Sequence, residues 1–283
     1  MKITPLILAG GQGSRLWPVS TPELPKQFLP LKMGGTAFSN TLQRVSDKEI
    51  FEAPIIICAE QHKKFIQDST NNIEADIISE PMGKNTAPAC AIGALAAKTL
   101  RGNDSILLIL PSDHYIPDIS LFEQAVLDAR HHVQSGHIIC LGIEPEFGHT
   151  EFGYIELGHD IGADSFRVKS FTEKPNLDLA NKYLKSGGYV WNTGIYFVKS
   201  SVMIEEMTKF QPDIILLAKQ AWENSIIDED CYMLDPNSFS TCPKTSIDYA
   251  VMEHTEKASV QIVDFEWRDL GGWDALMEFD ISS

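Results

Sequence analysis

The chain has 283 residues, 43% of them hydrophobic, enough for one large α/β domain or two closely packed ones. A formal net charge of −16 argues against nucleic acid or an anionic membrane as partner, and no stretch approaches the roughly 20 apolar residues a membrane helix needs. Cys58, Cys90, Cys140, Cys231 and Cys242 are scattered, with no C-x-x-C pair, so buried reduced thiols and a cytoplasmic location are expected rather than disulfides or a zinc site.

Residues 3–8 read as a first strand, too brief for a signal peptide because it runs straight into Ala9-Gly10-Gly11-Gln12-Gly13-Ser14-Arg15. Apolar runs at 54–58, 105–110 and 137–141 read as further buried strands of a largely parallel sheet. Helical patterns lie between them at 61–71, 86–100 and 121–134. This alternation predicts a Rossmann-like, doubly wound α/β sheet with its working site at the carboxyl ends of the strands. After about residue 148 the texture changes. Residues 153–156 and 166–173 read as antiparallel strands, 178–185 as a helix and 190–198 as another strand. A single domain of two halves follows, divided near residue 150, with a mixed sheet overall.

A strand ending in Gly10, Gly11 and Gly13 turns backbone N–H groups inward around an anion. No Gly-Lys-Ser/Thr closes the loop, and Leu16 stands where a dinucleotide fingerprint needs a third glycine. Arg15 and Lys26 follow closely, so the loop is either a triphosphate grip or a plain turn with solvated charges. Asp113 follows a strongly apolar strand, where a carboxylate serves as a Mg²⁺ ligand or as a turn residue; His114 reads as structural support. Asn85 or Thr86 is a helix N-cap after Gly83 and Lys84. Glu173 and Lys174 suit sugar hydroxyls and a phosphate, or form a surface pair. Asn192 has donors and an acceptor for hydroxyls, and Gly153 and Gly194 allow close backbone approach. Trp191 and Tyr154 read as core or wall residues.

Leu8-Ala9-Gly10-Gly11-Gln12-Gly13-Ser14-Arg15-Leu16-Trp17-Pro18 and Pro25-Lys26-Gln27-Phe28-Leu29-Pro30-Leu31 together resemble the signature of the sugar-nucleotide pyrophosphorylases. The resemblance continues in order through Glu80-Pro81-Met82-Gly83-Lys84-Asn85-Thr86-Ala87-Pro88, Leu110-Pro111-Ser112-Asp113-His114 and Phe152-Gly153-Tyr154-Ile155-Glu156. Glu173-Lys174-Pro175, Trp191-Asn192-Thr193-Gly194, Ser246-Ile247-Asp248-Tyr249-Ala250-Val251-Met252-Glu253 and Asp269-Leu270-Gly271-Gly272-Trp273-Asp274 complete it. More narrowly, the chain resembles the bacterial mannose-1-phosphate guanylyltransferases.

The resemblance implies a nucleotidyltransferase fold with a nucleotide half at 1–150 and a sugar-phosphate half at 151–283. It implies GTP and mannose 1-phosphate as substrates, and Mg²⁺ on Asp113 and Asp269. Arg15, Lys26, Asp113, Lys174 and Asp269 then carry catalysis. Gly10, Gly11, Gly13 and Ser14 hold phosphates, while Gly83, Asn85 and Thr86 meet base or ribose. Gly153, Glu173, Lys174 and Asn192 hold the sugar phosphate. The family more often carries Arg where Lys84 stands, which leaves a charge role there but no planar one. The same chemistry on another nucleotide or sugar phosphate is one alternative. A silent sugar-nucleotide-binding homologue is another, although it would be expected to have lost one of Arg15, Lys26, Asp113 or Asp269. Many relatives continue into a β-rich C-terminal domain, often an isomerase. None is expected here, and a homodimer would use the catalytic domain itself.

Overall fold

The computed structural model describes residues 2–11, 13, 16–32 and 34–272. The chain begins β1 (Ile3–Ala9), α1 (Ala37–Arg44), β2 (Ile55–Ala59), α2 (Lys63–Thr70), β3 (Asp76–Glu80), α3 (Thr86–Arg101), β4 (Ile106–Pro111) and β5 (His114–Tyr115). It continues with α4 (Ile119–Gln134), β6 (Ile138–Ile143), β7 (Gly153–Gly162), β8 (Ser165–Thr172), α5 (Leu177–Ser186) and β9 (Tyr189–Lys199). Last come α6 (Ser200–Phe210), α7 (Pro212–Glu223), β10 (Ile226–Asp228), β11 (Cys231–Met233), α8 (Pro236–Ser240), β12 (Ala258–Ile262) and β13 (Arg268–Asp269).

Eleven strands form one sheet in the order β10-β11-β3-β2-β1-β4-β9-β6-β12-β8-β7. β1 lies parallel to both β2 and β4, the arrangement that opens a crevice at the strands' carboxyl ends. β9 runs antiparallel between β4 and β6, so the sheet is mixed at its centre as well as at its edge. An apolar run carries no mark of its direction, so 190–198 reads from the sequence as a strand only, and its antiparallel setting fits the mixed sheet expected. β9 and β12 come from the later part of the chain yet lie inside the sheet, and β11 pairs with β3. The sheet therefore has no break at residue 150.

Alternation along the strands feeds two cores. Leu6, Ile55 and Ile57 face α3, α6 and α7, while Ile7, Ile56 and Cys58 face α1, α2 and α4. α3 is apolar nearly all round, as a helix buried between sheet and helices must be. Gly93 in its middle lets it sit unusually close to the sheet, since a Cβ there would come within 2.2 Å of Leu6 Cδ2. That packing sets the amino end of α3 at the crevice. Among the described residues no helix is long and apolar enough to cross a membrane.

Candidate active site

The crevice holds two adjoining cavities of about 410 and 430 Å³, which share Asn85, Thr86, Pro111 and Asp113. The first lies over β1, β2 and β3 and is lined by Leu8, Gly10, Gly11, Ile57, Glu80 and Gly83. The second opens toward β7 and β9 and is lined by Gly153, Glu173, Lys174, Asn192 and Asp248.

Asp113 and Asp269 are 156 residues apart in sequence, and a two-strand ladder joins them. β5 pairs antiparallel with β13, placing Asp269 opposite His114, and Leu270 N donates to Asp113 O at 3.0 Å. Lys26 projects from a short 3₁₀ turn, Lys26–Phe28, that is pinned by stacking of Phe28 on Phe65. Its ammonium forms an ion pair with Asp113 Oδ2 and lies 3.8 Å from Asp269 Oδ1. Burial pushes the Asp113 carboxyl upward, but Lys26 and His114 outweigh it and hold the group at about 2. One ligand atom each from Asp113, His114 and Asp269 lie within 4.8 Å of one another.

That donor set fits a hard divalent cation. Asp269 Oδ1 is buried without a hydrogen-bond partner, and a side chain at Gly271 would strike the same carboxylate, at 2.8 Å. His114 is better placed as a support. Its Nδ1 accepts from Trp267 Nε1 at 3.2 Å, its carbonyl accepts from Arg44 at 3.0 Å, and burial lowers its pKa.

The glycine loop has a brace that the sequence reading missed. Buried Gln27 donates from Nε2 to the carbonyls of Ala9 at 3.1 Å and Gly11 at 3.0 Å. Gly13 takes φ +65° beside Ser20. Ser14 and Arg15, expected in the phosphate grip, lie outside the described residues, as do Trp273 and Asp274. Asn85 does cap α3: its Oδ1 accepts from Thr86 N at 2.8 Å. Thr86 Oγ1 accepts from Ile247 N at 2.8 Å, tying the amino end of α3 to the 245–248 segment. Lys84 donates to Ser240 O at 2.6 Å.

In the second cavity, strand register sets Gly153 opposite Asn192. A Cβ at Gly153 would lie 2.7 Å from Glu173 Oε2, so glycine there makes room for the carboxylate. Glu173 pairs with Lys174, whose backbone takes φ +46°. Burial, reinforced by Asp248, raises the Glu173 carboxyl above its ordinary value.

Asn192 lines the cavity, but its amide is fully engaged. Nδ2 donates to Tyr196 Oη at 2.9 Å and Asp248 Oδ1 at 3.0 Å, while Oδ1 accepts from Gly194 N and Cys140 Sγ, both at 2.8 Å. No capacity remains for sugar hydroxyls in this state. What Asn192 and Tyr196 hold ready is Asp248, a cavity residue given no role on sequence grounds although it stood inside a recognised motif. Trp191 and Tyr154 are buried, as read, and Phe152 packs between Trp191 and Trp267 as a wall. All five cysteines are free and buried.

Residues 4–281 match the family model described as nucleotidyl transferase. The mannose-1-phosphate guanylyltransferase of Salmonella montevideo is 41% identical over 285 residues, covering 98% of this chain and 59% of that protein. The enzyme of the same name from Escherichia coli (strain K12) is 39% identical, again covering 98% and 59%. The chain thus spans about three fifths of the length of these curated relatives. A crystal structure of mannose-1-phosphate geranyltransferase from Thermus thermophilus matches with a TM-score of 0.85 at 31% identity, over 100% of this chain and 80% of that one.

Proposed function

The chain belongs to the nucleotidyl transferase family, and from that premise we propose that it transfers GMP from GTP to mannose 1-phosphate, giving GDP-mannose and pyrophosphate. The observation that carries this reading is the junction of the two cavities. Asp113, Asp269 and Lys26 meet there, between a glycine-lined pocket and one lined by Glu173, Lys174 and Asp248.

A phosphate monoester has a second pKa near 6, so sugar 1-phosphate is already an anionic nucleophile at pH 7 and needs no general base. The chain's task is alignment and charge neutralisation for in-line attack on the α-phosphorus. In this reading Gly10, Gly11 and Gly13 turn backbone toward the triphosphate. Arg15 and Ser14 complete the grip, and Gly83, Asn85 and Thr86 border base and ribose. Lys26 keeps Asp113 ionised and draws the two aspartates together until phosphate competes for its ammonium. Asp113 and Asp269 would hold Mg²⁺, which supplies positive charge to the polyphosphate. Glu173 and Asp248 face sugar hydroxyls, Gly153 admits the ring, and Lys174 steadies the attacking phosphate. Asn192 acts through Asp248. The nucleotide half is then about 1–150 and the sugar half about 151–283, within one domain. Five buried free thiols suit a cytoplasmic setting.

Pyrophosphate release, with GTP, UTP, dTTP, ATP and CTP each tried against mannose and glucose 1-phosphates in Mg²⁺, tests the reading. GTP with mannose 1-phosphate should lead by a wide margin. Preference for a different pair would overturn the substrate assignment, and no release from folded protein would overturn the activity.

A further inference from the structure

Arg44, the last residue of α1, is 1% exposed and is the largest of the fully buried side chains among the described residues. Burial lowers its guanidinium only to about 10, so it keeps its charge at neutral pH. Yet no carboxylate pairs with it among the described residues, and its Nε and Nη1 have no hydrogen-bond partner. Nη2 donates to the carbonyl of His114 at 3.0 Å, and the Phe122 ring of α4 lies 5.5 Å from Cζ. A buried cation without a counter-charge weakens a fold, and α1 does not need one. The capping box of Thr36 and Ser39 and the apolar side chains of Phe38 and Leu42 already hold that helix.

The one hydrogen bond that Arg44 makes falls where the ladder joining Asp113 to Asp269 is weakest. Leu270 N donates to Asp113 O, which makes Asp113 and Leu270 a hydrogen-bonded pair in the antiparallel register. The next pair, His114 and Asp269, then has no backbone bonds between its members, and the His114 carbonyl points away from β13. β5 and β13 are two residues each and form a sheet of their own, too short to hold a fixed position unaided. Arg44 supplies the outer anchor, from a helix set in the core.

We propose, resting on the reading of Asp113 and Asp269 as the Mg²⁺ carboxylates, that Arg44 is a positioning residue for that pair. By holding the His114 carbonyl from α1, it fixes the backbone on which both aspartates stand. Lys26 draws the two carboxylates together from the cavity side, while Arg44 secures their ladder from the core side. Without the anchor the short ladder would fray, and a cation would lose the fixed spacing of its two carboxylates.

Mn²⁺ suits the same octahedral oxygen sites as Mg²⁺, and its free ion is read by electron paramagnetic resonance. Titrating Mn²⁺ alone into the whole chain, without nucleotide, therefore reports on the two carboxylates apart from turnover. Arg44→Met, similar in length but uncharged, should weaken Mn²⁺ binding about tenfold, the lower end for an outer partner of a metal ligand. Arg44→Lys keeps a donor within reach of the carbonyl and should stay within about threefold of the unmodified protein. A role in stability alone would lower the Tm of the variants and leave the Mn²⁺ affinity of the folded protein unchanged. A folded Arg44→Met protein with the original affinity would thus overturn the proposal, as would an Arg44→Lys protein that loses as much as Arg44→Met. Should Arg44→Met fail to fold, Arg44→Gln, whose amide stops short of the carbonyl, is held to the same criterion. Equal Mn²⁺ binding by the unmodified protein and by Asp113→Ala would instead overturn the metal-site reading itself, and the proposal with it, before any change at Arg44.

Discussion

The two sides of the crevice are finished differently. On the side proposed for the sugar, the cavity's polar groups are met by one another, although Trp191 Nε1 behind them is unpaired: Asn192 is bonded to Cys140, Gly194, Tyr196 and Asp248, and Glu173 is paired with Lys174. On the side proposed for the nucleotide and at the junction, Gln27 Oε1, Glu80 Oε1 and Asp269 Oδ1 are buried without hydrogen-bond partners, Asp269 having only the long ion pair to Lys26. A prewired network fixes the shape of its pocket before the ligand arrives, so a change in one member reaches the others. Unmet acceptors instead carry a cost that only a ligand or cation relieves, so their effects should appear in binding and turnover, not in folding.

The junction belongs to both sides, and the largest losses are expected there. Lys26→Ala or Asp113→Ala should lower kcat by roughly 10²- to 10³-fold at saturating substrates, the scale of removing one preorganised charge from a transition state. Thermal unfolding measured alongside should move little. Turnover within a few fold of normal would break the junction assignment.

On the prewired side, Asp248→Asn keeps the shape but trades an acceptor for a donor beside Asn192 and Tyr196. KM for mannose 1-phosphate should rise roughly 10- to 100-fold, as for a lost charged hydrogen bond, with KM for GTP unchanged. Equal rises in both constants would show that the two sides are not separable.

Much of this was legible in advance because local chemistry announces it. The glycine loop, Lys26, Asp113 and the cap at Asn85 each stand next to a strand or helix end whose apolar pattern is plain. Long-range pairing was hidden. Nothing near Arg268 or Asp269 says that two residues of strand will zip against His114 and Tyr115, and only the family resemblance joined the two aspartates. β9 was read as a strand, yet its direction and its place between β4 and β6 depend on partners far away. Asn192 was read by its functional groups, and the fold assigned those groups to other residues. Glu80 and Asp248 sat inside recognised motifs without a role, since an unpaired oxygen and a held carboxylate exist only in three dimensions.

The smallest expected effect tests what underlies both sides. Gly93 lies in the middle of α3, where glycine costs about 1 kcal/mol relative to alanine in helix propensity alone. Gly93→Ala favours the helix by that measure, yet the added methyl would sit 2.2 Å from Cδ2 of Leu6, which is fully buried in β1. Overpacking of that kind typically costs about 1–3 kcal/mol and outweighs the propensity gain. The protein should lose a net ~0–2 kcal/mol, a fall in Tm of up to several degrees for a chain of this size. The strain falls between β1 and α3, the elements that carry Gly10 and Asn85, so KM for GTP should rise severalfold while KM for mannose 1-phosphate holds. A stabilised variant with unchanged constants would mean that α3 can shift away from the sheet without moving the nucleotide pocket, and the close approach at Gly93 would then have no part in placing it.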